Sequence, residues 1–345
     1  MLYATTRGKH DVVTAFKTIH TDCYTDGGLF VPFRMPKLSK ERMEALAVTS
    51  PAQIIADVLN EFFSVSLTAW DVEYALGRSP LKTTAIGRGL IAAELWHNTG
   101  ADVSWAVQRL SDRIRGGDRR IAPTNWMEIA VRVAFVFASY GNLLSTGSVR
   151  SHRLTDVAVT TSDFAMPMAV WYARQMGLPI GNIICGCNAN GGVWDMLNRG
   201  DFSTGDILTH TCTPKADVVV PRNLERLVCA TLGVEETRRY LFCCSRGRNY
   251  VLSEDLLQRL SQGLFAAVIS DSRVESVIPG VWQTCGHILS PYGALAYGSL
   301  QDYRSMTGHT RTALLIEERS PQLDSRHVCD LLRMNESDLR RITQK

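Results

Sequence analysis

With 345 residues, 45% of them hydrophobic and 21% charged, the chain can bury a large core as one large or two modest domains. A formal charge of +3 with scattered basic residues, the densest group running from Arg115 to Arg120, carries neither a nucleic-acid nor a membrane footprint. No apolar core follows Met1 and no run reaches the ~18 apolar residues that cross a bilayer, so a cytoplasmic location is expected.

The first segments are Thr5-Thr6-Arg7-Gly8, then Thr25-Asp26-Gly27-Gly28-Leu29-Phe30-Val31-Pro32, in which Asp-Gly-Gly reads as a turn before a short apolar strand. Two helices follow. Ser39 can cap the first, and Ser50-Pro51-Ala52-Gln53 combines an N-cap, a proline at the first helical position and a glutamine three residues on. Ile54, Ile55, Val58, Leu59, Phe62 and Phe63 recur at helical spacing and predict one apolar face. Glu94 to His97 reads as a strand leading into a loop that contains Ser104. The charged stretch from 109 to 123, broken at Gly116-Gly117, predicts an exposed connector.

Trp126 to Tyr140 is apolar almost all round and predicts a buried helix. Val157 to Val159, the helix ended by Gly177 and the strand from Ile180 to Cys187 read as a βαβ unit and therefore a parallel sheet. Between them, Asp163 is a candidate N-cap, and Asn223 could cap a helix farther on. Leu314 to Glu318 is a late strand. The nine cysteines sit mostly among apolar neighbours, without zinc-knuckle spacing, and read as reduced core thiols; no metal site is expected.

Taken together and in order, these segments resemble threonine synthase. Its opening Thr-Arg-Gly and Asp-Gly-Gly-Leu-aromatic-Val-Pro elements correspond to Thr6 to Gly8 and Asp26 to Pro32. A Glu-Leu-aromatic-His pattern corresponds to Glu94 to His97, a Ser-Ile-Asn-Trp element to Thr124-Asn125-Trp126, and an Asn-Phe-Glu-Arg element to Asn223-Leu224-Glu225-Arg226. The resemblance implies an α/β, three-layer fold with a mostly parallel sheet, that of pyridoxal-phosphate (PLP)-dependent fold type II (tryptophan synthase β-like), lacking most of the mobile small subdomain. It implies an N-terminal region over 1–95 and a reduced large domain over 96–345, with the connector 109–123 bridging the deletion.

What the resemblance implies about chemistry runs the other way. The lysine that tethers PLP in the family falls at Ser104, or at Val103 with a one-residue gap, and neither can form an imine. The family's Thr-Gly-Asn-Phe-Gly phosphate loop aligns with Thr161, Ser162, Asp163, Phe164 and Ala165, so both glycines gain side chains and an acid replaces the asparagine. A carboxylate ~4 Å from a phosphate charge costs about 4 kcal/mol at an effective dielectric of ~20. Glu318 stands where the family's threonine faces the pyridine nitrogen, and Tyr292-Gly293 replaces a His-Thr pair. Asn188 and Asn190 are kept while the two acids that accompany them are lost.

The expected function is therefore a threonine-synthase-like pseudoenzyme, without PLP catalysis, serving as a binding or regulatory scaffold, as a homo-oligomer or with an active relative. A first alternative is a non-catalytic binder of an amino acid or phosphorylated amino acid, with His97, Asn98, Thr99, Asn188 and Asn190 as polar contacts. A second is an active PLP-dependent lyase of amino-acid biosynthesis, converting O-phosphohomoserine to threonine through a relocated amine. Lys37 and Lys82 are the lysines this reading places near matched segments. No cofactor is expected unless that last reading holds.

Overall fold

In the computed structural model, which describes residues 1–8, 12–97, 101–202 and 207–344, the chain forms two sheets. The small one joins β1 (Leu2–Thr5), β2 (Val13–Thr14) and β3 (Phe30–Pro32) as antiparallel neighbours in the order β2-β1-β3. The large one holds β4 (Lys82–Gly87), β5 (Leu90–Glu94), β6 (Thr155–Thr160), β7 (Ile180–Cys187), β8 (Leu264–Val268) and β9 (Ala313–Glu317). Its order is β4-β5-β9-β6-β7-β8, with β4 and β5 antiparallel and every other pair parallel. Helices cover both faces, which is why β5, β6 and β9 are buried at every position rather than alternating. This is the expected α/β architecture, a mixed but mostly parallel central sheet.

The expected start signals form. Ser50 Oγ accepts from the Gln53 amide at 3.2 Å with Pro51 in the first turn of helix Pro51–Phe63, although the Gln53 side chain turns to Asp57 instead of closing a capping box. The apolar face of that helix packs on helix Trp126–Ser145, where Trp126 meets Tyr3, Phe62 and Tyr172 edge-on, with centroids 5.3 to 5.6 Å apart. Helix Trp126–Ser145 is also long and apolar enough, by length and composition, to cross a membrane, a length the sequence reading did not anticipate; 89% of its most apolar window lies inside the fold.

Three expectations are corrected. The strand ends at Glu94, because the His97 amide turns back to the Glu94 carbonyl at 3.3 Å. Ser104 and Val103 lie not in a loop but in the first turn of helix Val103–Arg115, capped by Asp102, and this helix takes in residues 109 to 115 of the expected connector. Its apolar stripe, Val103, Ala106, Val107 and Leu110, is buried, and that burial decides the conformation over the charged residues between. Asn223 makes no cap: its side chain gives to the Pro123 carbonyl at 3.1 Å and takes from Arg226.

Candidate functional site

A cavity of about 250 Å³ opens at the C-terminal ends of β6 and β9, the end of a parallel sheet at which ligands are usually held. Ser104, Thr160, Ser162, Asp163, Lys215 and Glu318 are among its lining residues. Helix N-termini reach it from three sides: Val103–Arg115, Ala165–Met176 and Pro291–Thr307. Such ends attract anions through free amides and the helix dipole. Here each already has an internal acceptor. Asp102 Oδ1 takes the Ser104 amide at 2.9 Å, Asp163 Oδ1 the Ala165 amide at 2.9 Å, and Ser290 Oγ the Gly293 amide at 3.1 Å.

The loop before helix Ala165–Met176 keeps a backbone suited to glycine while carrying side chains. Ser162 has φ +33° and Phe164 φ +64°, both in the left-handed region. Thr161 hydrogen-bonds the Gly186 carbonyl of the neighbouring strand at 3.3 Å.

Behind the cavity lies a buried charge network. Arg132, fully enclosed in helix Trp126–Ser145, binds Glu128 one turn back and Glu318 Oε2 at 2.8 Å. Burial opposes the Arg132 charge, but Glu128, Glu318 and Asp163 outweigh it and keep the guanidinium protonated. Burial pushes the Glu128 carboxyl up to about 7 against the pull of Arg132, and raises Glu318 in the same way. Three carboxyl groups thus surround one cation, and two of them, Asp163 and Glu318, line the cavity with Arg132. Also lining the cavity, Lys215 Nζ and Arg319 Nη1 lie 2.5 and 3.6 Å from Asp102 Oδ2, and Arg319 also binds Asp324. Burial disfavours the Asp102 carboxylate, yet Lys215 holds it below the usual range.

The sequence-derived candidates divide. Ser162, Asp163, Ser104, Val103 and Glu318 come together at this cavity, whereas Thr161, Phe164 and Ala165 are buried and do not line it. Asn188 and Asn190 do not. Asn188 gives to Thr211, Thr213 and Asp217 at 2.8 to 3.1 Å, and Asn190 exchanges bonds with Thr209 and reaches Asp217, so both pin segment 207–217. His97 lies apart, its Nδ1 3.8 Å from Glu94, with burial keeping it below the usual histidine range. Asn98 and Thr99 lie outside the described residues. Lys82, across β4 from Glu94, holds it at 3.7 Å. The lysine at the cavity is Lys215, which sequence reasoning missed although it directly precedes the matched Ala216-Asp217.

The matched N-terminal motifs meet elsewhere. Thr6 and Arg7 bind Glu225, the Arg7 guanidinium at 3.1 and 3.2 Å, and Arg226 reaches the Phe30 and Thr124 carbonyls at 3.0 and 2.8 Å. Segments far apart in sequence thus close one polar lock.

Residues 2–79 match the family model for the threonine synthase N terminus. Over these residues the chain is similar to the threonine synthases, and two curated relatives extend the similarity to half of the chain. Human threonine synthase-like 1 is 28% identical over 176 residues, 50% of this chain and 24% of that protein. Rat threonine synthase-like 2 is 28% identical over 176 residues, 50% of this chain and 36% of that protein. The chain thus aligns with about a quarter to a third of the length of these relatives. Its fold superposes on the PLP-bound threonine synthase of Brucella melitensis with a TM-score of 0.85 at 18% identity, covering 100% of both chains. The yeast enzyme gives 0.81 at 14% identity, over 99% of this chain and 94% of that one.

PLP, which the fold family implies, meets a poor fit in the residues present. By the sequence resemblance the tether position falls at Ser104 or Val103, neither an amine; the Ala165 amide at the loop aligned with the phosphate site is taken by Asp163, and Glu318 is engaged with Arg132.

Proposed function

We propose that this threonine-synthase-like chain is a pseudoenzyme that has closed its cofactor site with its own side chains and acts as a cytoplasmic binding or regulatory scaffold. The observation that carries this reading is Asp163: its carboxylate accepts the Ala165 amide at the helix end where a cofactor phosphate would dock, and it adds negative charge to a cavity that Glu318 also lines. One carboxylate ~4 Å from a phosphate charge repels it by about 4 kcal/mol at an effective dielectric of ~20. Lys215 does not replace the missing amine, because an ammonium paired with Asp102 has no free lone pair for imine formation. A pairing partner, whether a second copy or an active relative, belongs to the same reading.

Titration with PLP, followed by borohydride reduction and peptide mapping, tests it. The expected result is no imine absorbance and no lysine modified selectively at the cavity. A stoichiometric adduct at Lys215 would overturn the reading.

A second reading has its own observation, a cavity lined by charges of both signs: Asp102, Asp163 and Glu318 with Arg132, Lys215 and Arg319. Such a lining suits a small zwitterion, an unreacted amino acid. Thermal-shift screening against free amino acids tests this, since a ligand at 100 times its Kd stabilises by ~2.7 kcal/mol. Absence of a shift with any free amino acid would contradict this reading.

A further inference from the structure

We propose a second, independent site, for a small phosphate-bearing ligand, in the groove at the opposite end of the sheet. Thr155 opens β6 and Thr312 immediately precedes β9, so this groove lies at the N-terminal ends of the same two strands whose C-terminal ends bound the first cavity. Its volume is about 580 Å³, within the ~300–1,000 Å³ of small-ligand sites. The lining includes Arg150, His152, Arg153 and Arg311 and contains no carboxylate among the described residues.

The backbone holds these groups in place. Val149 is buried and its amide binds the Leu143 carbonyl at 3.2 Å; the Arg153 amide folds back on the Arg150 carbonyl at 3.1 Å; the Thr155 amide binds Pro179 at 2.9 Å. The turn passes through His152 with φ +65°, a conformation that non-glycine residues rarely adopt. Two arginines three positions apart are thereby set on one tight turn, with Arg311 across the groove. Arg311 lies 3.5 Å from the buried Asp156, which also accepts the Asn182 amide at 2.8 Å. Arg150 and Arg153 have no carboxylate within ion-pair distance among the described residues, unlike Lys215 and Arg319 at the first cavity. Two guanidiniums without an internal counter-ion, with a third across the groove, match the geometry of a phosphate better than that of any neutral ligand.

The ligand class is a phosphomonoester or a diphosphate. Calorimetry with inorganic phosphate and with pyrophosphate, at fixed ionic strength with chloride as the balancing salt, tests the site on the full chain. Saturable one-to-one binding is expected, tighter for pyrophosphate, and at least tenfold weaker in the Arg150→Ser/Arg153→Ser double variant. That variant removes exposed side chains without internal partners, so an unchanged melting temperature is the control. Absence of saturable binding, or binding unaffected by the double variant, would overturn the proposal. So would an oligonucleotide that binds more tightly than pyrophosphate with a steep salt dependence, because the groove would then be part of a nucleic-acid surface. Since no residue of the first cavity is involved, Asp163→Ala should leave the affinity unchanged, which separates this result from the outcome of the cofactor test.

Discussion

At the scale of single residues, the loop from Thr161 to Ala165 records a conformation and a chemistry that no longer agree. Ser162 and Phe164 keep left-handed backbones, which cost a residue with a Cβ roughly 1–2 kcal/mol each. Ser162→Gly should therefore stabilise the protein by about 1 kcal/mol in urea denaturation, less the chain entropy that glycine adds to the unfolded state. Asp163→Ala should do the reverse, losing about 0.5–2 kcal/mol with the amide it caps. Destabilisation by both changes would show that the loop has relaxed around its side chains. Glu128 supplies a pH test. Its folded value near 7 lies above the ordinary 4.5, so the unfolded state ionises first and the protein loses stability as pH rises between those values. Glu128→Gln should flatten that slope; an unchanged slope across this window would assign it to other groups.

Among elements, the polar lock links β1, β3 and the start of helix Leu224–Leu232. Glu225 is buried, and its partners Thr6 and Arg7 would lose their acceptor in Glu225→Ala. The buried Thr6 hydroxyl would be left unsatisfied while the half-buried Arg7 could turn to solvent, a loss of about 1–3 kcal/mol, so the variant should unfold at clearly lower urea, with Glu225→Gln recovering part of the loss. A loss below 1 kcal/mol would mean that solvent replaces the contact.

This level was also where the sequence was most readable. Helix Pro51–Phe63 and the β6 to β7 unit carry their apolar periods and stop signals in consecutive residues, and both form as expected. Helix Val103–Arg115 was missed because its buried stripe alternates with polar and charged residues, and the resemblance to a lysine-bearing loop drew the reading away from periodicity. Lys215 was missed for a different reason. It sits on a three-residue turn, Pro214–Ala216, with no periodic signature, and it reaches the cavity through contacts more than a hundred residues away in sequence, at Asp102. The asparagines show the converse: Asn188 and Asn190 were legible as a retained pair, but only their bonds to Asp217 and the 207–217 segment reveal that they hold a chain crossing rather than a ligand.

For the whole molecule, the parallel register of β5 and β9 sets Glu94 beside Glu317, both buried, in the middle of a sheet covered on two sides. Glu318, one residue on, turns to Arg132, whereas Glu317 Oε1 binds His287 Nε2 at 2.6 Å. Lys82, Thr84 and His97 face Glu94 from β4 and from the turn after β5. Burial works against the His287 cation, but Glu317 outweighs it and raises its titration above the ordinary 6.5; burial likewise raises Glu317, against His287. Both shifts act in one direction. The histidine contributes stability in full below the unfolded value of 6.5 and loses it as pH rises through its higher folded value, while Glu317 is disfavoured as a carboxylate above 4.5. His287→Ala should accordingly cost about 3–5 kcal/mol near pH 6, where it strands Glu317 unpaired. The cost should shrink toward pH 4, where Glu317 can hold a proton. Chemical denaturation of both proteins at the two pH values reads this directly, and equal losses at both would place the contribution of His287 in packing rather than in charge.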